Sequence, residues 1–257
     1  MKGIYISYLS VLLVGVLVAC GTKSKKKDDN KNEFISIFNG ENLEGWEGDP
    51  TYWRVENGIL VGEVTPETIL KRNSFIIYEK EQPENFELKL EYRVSESGNS
   101  GFNYRSEIIE GVPFALRGYQ CDIDGKNKYT GQNYEEKKRT TLAYMGEKVV
   151  IPNMPDSIPE TNLRKNVKKN RWQTRTVVDT LATKPELRSH IKSNDWNSVH
   201  IKVNGNIMQH YVNGVLMSEV ADLDTLNRSV KGFIGVQVHV GPPMKIEYKD
   251  IMLKTLD

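Results

Sequence analysis

The run Phe86-Glu87-Leu88-Lys89-Leu90-Glu91-Tyr92-Arg93-Val94 alternates apolar and charged side chains without a break. Successive residues of a strand point to opposite faces, so a period of two demands a strand with one face on a core and one in water. The same period recurs in Asn99–Glu107, Gly118–Asp124, Phe233–Val240 and Met244–Tyr248, with Ile251 and Leu253 continuing the last run past a bulge. Further strand candidates are Phe34–Phe38, Trp53–Glu56, Ile59–Gly62, Ser74–Tyr78 and Trp196–Val203. Asn57-Gly58, Asn204-Gly205 and Asn213-Gly214 punctuate them, and Asn-Gly suits the type I′ turn of a β-hairpin. Short strands with tight turns imply an all-β chain, an antiparallel β-sandwich or jelly roll. Pro185–Lys192 reads as a short helix. Residues 147–193, with Pro152, Pro155, Pro159 and the basic run Arg164–Arg171, read as an irregular insertion on the sandwich.

The 257 residues suffice for one large β domain. Its formal net charge of +1 gives no electrostatic reason to expect a nucleic-acid partner. Lys2 followed by the mostly apolar Ile4–Val18 is too short to span a bilayer and reads as a signal peptide over residues 1–19. Leu17-Val18-Ala19-Cys20 resembles a bacterial lipobox, which implies lipidation of Cys20 and a membrane-anchored lipoprotein on the periplasmic or cell-surface side. Residues 20–33 carry Lys, Asp and Asn without apolar periodicity and read as a flexible tether. The folded domain is then 34–257. Cys121 has no cysteine partner but Cys20, and its place in the alternation makes it a core residue.

Three strands offer polar sides rich in amides, acids, Arg and His: Asn103/Arg105/Glu107, Gln120/Asp122/Asp124 and Gln237/His239. The solvated strand Phe86–Val94 shows the ordinary Lys/Glu mixture instead. The sequence contains no zinc-spaced His/Cys cluster, no Gly-x-Ser-x-Gly elbow and no phosphate loop. It also lacks the Glu-x-Asp-x-x-Glu run of laminarinase-like sandwich glycosidases, which argues against a paired-carboxylate retaining mechanism. No cofactor is required by the sequence; Asp122, Asp124 and His239 are the candidates for one divalent cation.

Several motifs in order carry a family resemblance: Phe38–Trp46, Trp53–Leu60, Asn99-Ser100-Gly101 with Arg105, Gly118–Ile123, Asp195-Trp196-Asn197, Val212-Asn213-Gly214 and Gly232–His239. Together they resemble the 3-keto-disaccharide hydrolase domain family. Gly131, Tyr134, Glu136 and Arg139 match a Gly-x-x-Tyr-x-Glu-x-x-Arg run of the subgroup with Gln-x-Asp after Gly118-Tyr119. The resemblance implies a concanavalin-like β-sandwich that cleaves 3-keto-glycosides, as a hydrolase or as a lyase, in bacterial glycan breakdown.

A C3 ketone acidifies the C2 proton, so a base can form an enolate and expel the C1 substituent. On this reading Asp122 or Glu136 is the base, and Arg105 and Arg139 steady the enolate or bind hydroxyls. His239 is an acid or positioning group, while Gln120, Gln237, Asn103 and Tyr134 bind the sugar. Two other readings fit the same residues: a non-catalytic carbohydrate-binding lipoprotein and a conventional glycoside hydrolase.

Overall fold

The structure, a computed structural model, describes residues 33–157, 163–169 and 174–256, together with Met1 and Gly3. Apart from Met1 and Gly3, the expected signal peptide lies outside the described residues, as do Cys20 and nearly all of the tether. The chain from Lys31 to Asp257 forms one compact unit.

In chain order the strands begin with the two-residue β1 (Ile35–Ser36) and β2 (Trp46–Glu47). Next come β3 (Trp53–Glu56) and β4 (Ile59–Val64), joined by Asn57 and Gly58 at φ 50° and 82°. Positive φ at both central residues is the I′ requirement that the Asn-Gly pair meets. Then follow β5 (Ser74–Tyr78), β6 (Asn85–Val94), β7 (Asn99–Ile108) and β8 (Leu116–Asp124). The less regular middle of the chain contributes β9 (Asn133–Glu136), β10 (Thr140–Ala143) and β11 (Glu147–Ile151). After α1 (Leu163–Lys168) and β12 (Thr176–Thr180) comes α2 (Lys184–Ser189), whose N-cap Thr183 accepts from the Glu186 amide. The chain ends with β13 (Asn197–Asn204), β14 (Ile207–Val212), β15 (Val215–Asp222), β16 (Phe233–Val238) and β17 (Met244–Leu256).

These strands make two sheets. The larger runs β12-β11-β15-β14-β13-β6-β17-β4-β3, with β1 also on β17; the smaller runs β10-β9-β8-β7-β16-β5-β2. All described pairings are antiparallel except β11 with β15. The alternation of β6 sends Phe86, Leu88, Leu90, Tyr92 and Val94 inward, where they join Phe102, Tyr104, Tyr119, Cys121, Ile123, Ile234, Val236 and Val238 of the smaller sheet in one core. Burying each such large apolar side chain is worth roughly 1.5–3 kcal/mol, which is what holds the sheets face to face. Cys121 is a fully buried core residue, and burial raises its thiol pKa. The expected bulge in β17 is present at Asp250, with φ 51° and a register shift between Lys249 and Met252.

The expected irregular insertion at 147–193 is corrected by β11 and β12, which extend the larger sheet. The reason is physical. All five residues of β12 are exposed, and an edge strand wet on both faces has no period of two to read.

Candidate functional site

The outer face of the smaller sheet carries the site. Its inner face is consumed by the core, so the opposite set of alternating residues must lie outside. Register fixes who stands beside whom: Asp122 pairs with Gly101, Gln120 with Asn103 and with Tyr134, and Glu136 with Gly118. Thr141 stands beside Tyr134 on the next strand. On the far side of β7, Gly235 pairs with Asn103, which brings Gln237 level with Gly101.

A cavity of about 250 Å³ opens on this face, walled by Asn99, Gln120, Asp122, Tyr129, Gln132, Tyr134, Glu136, Thr141, Gln237 and His239. At its floor the side chains form a directed chain. The Nε2 of Gln237 donates to Oε1 of Gln120 at 3.4 Å, and Nε2 of Gln120 donates to Oδ1 of Asp122 at 2.6 Å. The other oxygen of Asp122 accepts from Nε2 of Gln132. A carboxylate offers about four lone-pair sites, so two amide donors leave Asp122 room for a substrate proton. Gln237 is fully buried, and its Oε1 has no partner among the described residues.

Burial drives the Asp122 carboxyl pKa up to about 7; the Gln132 and Gln120 amides oppose this, and the charges of Glu136 and Asp124 add to it. The dominant cause is desolvation of the anion. Glu136 is buried beside it, with Nδ2 of Asn73 at 3.5 Å and Nζ of Lys137 at 4.0 Å. His239 is half-buried, and its Nδ1 lies 2.6 Å from the Val240 carbonyl. A carbonyl only accepts, so Nδ1 carries the hydrogen and Nε2 is left as the basic nitrogen. Burial lowers the imidazole pKa, with the Val240 contact opposing and Lys137 adding.

Of the residues expected from sequence, Asp122, Glu136, His239, Gln120, Gln237 and Tyr134 meet in this one cavity. Three do not. Arg105 sits at φ 45° in a bulge between Tyr104 and Glu107, which breaks the alternation and turns its guanidinium to the Glu84 carbonyl, 2.9 Å from Nε. Arg139 is fully buried between the sheets, held by Glu135 at 2.6 Å, Asp222, Asp224 and the Tyr119 hydroxyl. Asn103 shares the outer face but is fully covered, with neither side-chain polar atom partnered among the described residues. Among the described residues the cavity wall contains no arginine or lysine, and Lys137 is a cation just outside it, 4.0 Å from Glu136.

Asp124, one of the candidate cation ligands, has a place in the fold. Its carboxylate caps a turn by accepting from the amides of Lys128, Tyr129 and Thr130 at 3.0, 2.7 and 3.0 Å. Among the described residues no group of three or more His, Cys, Asp or Glu gathers to hold a metal ion.

Asn99, Tyr129, Gln132 and Thr141 belong to the wall without having been nominated. Gln132 had a legible signal: it precedes Tyr134 and Glu136 at the same period of two. Tyr129 had none, because the Asp124-capped turn that places it follows no periodicity.

Residues 33–254 match the profile of the 3-keto-alpha-glucoside-1,2-lyase-like domain. The chain belongs to that family. This lyase-like domain is also similar to a curated 3-keto-disaccharide hydrolase of Bacteroides thetaiotaomicron, 26% identical over 42% of this chain and 50% of that protein. The match thus spans about half the relative's length. A glycosyl-hydrolase candidate from Parabacteroides distasonis superposes with TM-score 0.55 at 18% identity, covering 88% of the lyase-like domain's chain and all of the other. A carbohydrate-binding module of Bacillus subtilis superposes at 0.50 with 13% identity, covering 82% and 96% of the two chains. Likeness at such identities speaks for the β-sandwich fold alone.

Proposed function

We propose that the domain cleaves 3-keto-glycosides at the Asp122–Glu136 cavity by proton abstraction and β-elimination. The observation that carries this is Asp122: a buried carboxylate with a pKa near 7, aimed into a small polar cavity and held by two amides. A general base works best when its pKa lies near the working pH. Family membership supports the substrate class.

In this reading Asp122 takes the proton from C2 of the 3-keto ring. The electron pair of that C–H bond passes through the enolate into a C1=C2 double bond, and the C1–O bond breaks with its electrons on the leaving oxygen. His239, with Nε2 open to uptake and hand-over, relays a proton from solvent to that oxygen. The products are an unsaturated 2-hydroxy-3-keto sugar and the free alcohol. Later addition of water across C1=C2 would make the net outcome hydrolysis. Tyr134 and Thr141 bring hydroxyls to the enolate from the wall. Gln237 Oε1 accepts a sugar hydroxyl.

The test is incubation with a 3-keto-glucoside and with its unoxidised parent. Cleavage of the keto sugar alone is expected. Cleavage of both would point to a conventional glycosidase, and binding without turnover to a carbohydrate-binding module; either result overturns the proposal.

We also infer that Cys20 is lipidated and anchors the domain to a bacterial membrane, from the lipobox-like Leu17–Cys20 alone. Full membrane association of Cys20→Ala would overturn this.

A further inference from the structure

A second concavity of about 670 Å³ adjoins the cavity. Asn99, Tyr129 and His239 line both, so the two are one continuous depression with a shared waist. The volumes differ in a useful way. The inner cavity falls below the roughly 300 Å³ at which drug-sized ligand sites begin, while the outer groove lies well inside that range. The inner part fits a single sugar ring; the outer part has room for more.

We infer that the outer groove is a leaving-group subsite, built for a glycoside whose leaving group carries a ring with an apolar face. This rests on the function proposed above. The direction of the substrate follows from which residues lie where. Asp122, Glu136, Gln120 and Gln237 wall only the inner cavity, so the oxidised ring belongs there. His239, which serves the leaving oxygen, stands at the waist, so the C1–O bond points through it into the groove.

Tyr129 supplies the platform. It is 37% exposed, a large aromatic ring left in the open beside a polar cavity. Its backbone is anchored. Its amide donates to Asp124 Oδ1 at 2.7 Å, and the Lys128 ammonium stands 4.9 Å from its ring centroid. The exposed Glu96 and Lys126 give the groove an acceptor and a donor for hydroxyls.

The experiment uses 3-keto-glucosides with three leaving groups: methanol, a second sugar and a phenol. Each unoxidised parent is also titrated by calorimetry. We expect both ring-bearing substrates to exceed the methyl glycoside in kcat/KM, chiefly through KM, and their parents to bind more tightly. Tyr129→Ala should cut the ring-to-methyl ratio about three- to tenfold, the range a single aromatic stacking contact supports. Tyr129→Phe should keep the ratio. A preference for the second sugar alone, or for the phenyl ring alone, in the binding of the unoxidised parents identifies which ring chemistry the groove takes, because binding does not depend on how readily the leaving group departs. Turnover with no leaving-group preference, or a Tyr129→Ala effect equal on all three substrates, overturns the subsite and spares the proposed function. Ring-dependent binding without turnover of any keto sugar does the reverse.

Discussion

A methyl group on Gly101 would stand 2.3 Å from the Nε2 of Gln120. Glycine on β7 is what lets Gln120 cross the neighbouring strand, reaching Gln237 on one side while donating to Asp122 on its own strand. Gly101→Ala should therefore act on the site through Gln120. The displaced amide leaves Asp122 short of a donor, and an unmet hydrogen bond at a buried polar group costs about 1–3 kcal/mol. We expect kcat/KM to fall at least about tenfold, with a loss of stability of about 1–3 kcal/mol. The double variant Gly101→Ala/Gln120→Ala should be no worse than Gln120→Ala alone, since the clash is then gone. Additive losses in that cycle would sever the link between the two residues.

The Asp122 carboxyl titrates near 7 in the folded protein against 3.8 unperturbed, and both activity and stability should show it. Activity should rise with pH through about 7, because only the anion abstracts a proton. Stability should move the other way. Between the two pKa values this carboxyl binds more protons in the folded state than in the unfolded state, so its contribution to the unfolding free energy falls as pH rises from about 4 to about 7. Asp122→Asn should lose turnover and, above pH 7, gain up to about 4 kcal/mol over the parent. Urea melts at pH 5 and pH 8 measure the difference. A variant with equal gain at both values would mean that burial does not strain this carboxylate.

His210 imposes the opposite slope. It is fully buried between the sheets, with Nε2 2.8 Å from the Tyr104 hydroxyl and Nδ1 3.3 Å from the Gln132 carbonyl. The carbonyl can only accept, so Nδ1–H donates to it and Nε2 accepts from Tyr104, a neutral imidazole. Burial brings its pKa down to about 4 from 6.5. The unfolded state therefore binds the extra proton between these values, and stability is lost as pH falls from about 6.5 to about 4, by roughly 3 kcal/mol. In the parent protein this opposes the Asp122 contribution, so the two slopes partly cancel over that range. Asp122→Asn should expose the His210 slope, and a flat profile in that variant would refute the assignment.

The sandwich was legible because its core strands alternate and its hairpins carry Asn-Gly. Four residues of the candidate site were legible for the same reason: Gln120 and Asp122, and Gln237 with His239 just past its strand, lie at even spacings opposite a core face, whereas Tyr134 and Glu136 came from the family resemblance. Arg105 misled because a left-handed residue inside a strand leaves no mark on the alternation. Asn103 misled in another way, since register alone does not say what covers a side chain. Arg139 misled because it was carried over from the family run, and a motif match does not say that the turn after Glu136 (Lys137 has φ 58°) sends it between the sheets.

Arg139 tests the correction most directly. It bridges Glu135 on the smaller sheet and Asp222 on the larger, with Asp224 at 3.3 Å from Nη1 and Lys138 3.7 Å from Glu135. Burial pushes the Glu135 carboxyl up, but the attraction and hydrogen bonds of Arg139 outweigh it and leave the pKa below the usual value. Arg139→Met would leave these carboxylates buried beside one marginal lysine. Removing one partner of a buried ion pair costs about 3–5 kcal/mol, a large share of a domain's total stability. The loss should shrink in Arg139→Met/Glu135→Gln, which removes one of the orphaned charges. Because Glu135 has a lowered folded pKa, its contribution is present above about 4.5 and lost as pH falls. The parent should therefore lose its advantage over Arg139→Met in acid. Turnover of folded Arg139→Met, measured well below its melting temperature, should stay within about threefold of the parent, a change below 1 kcal/mol in barrier. A collapse of kcat in a fully folded Arg139→Met protein would return this arginine to the reaction.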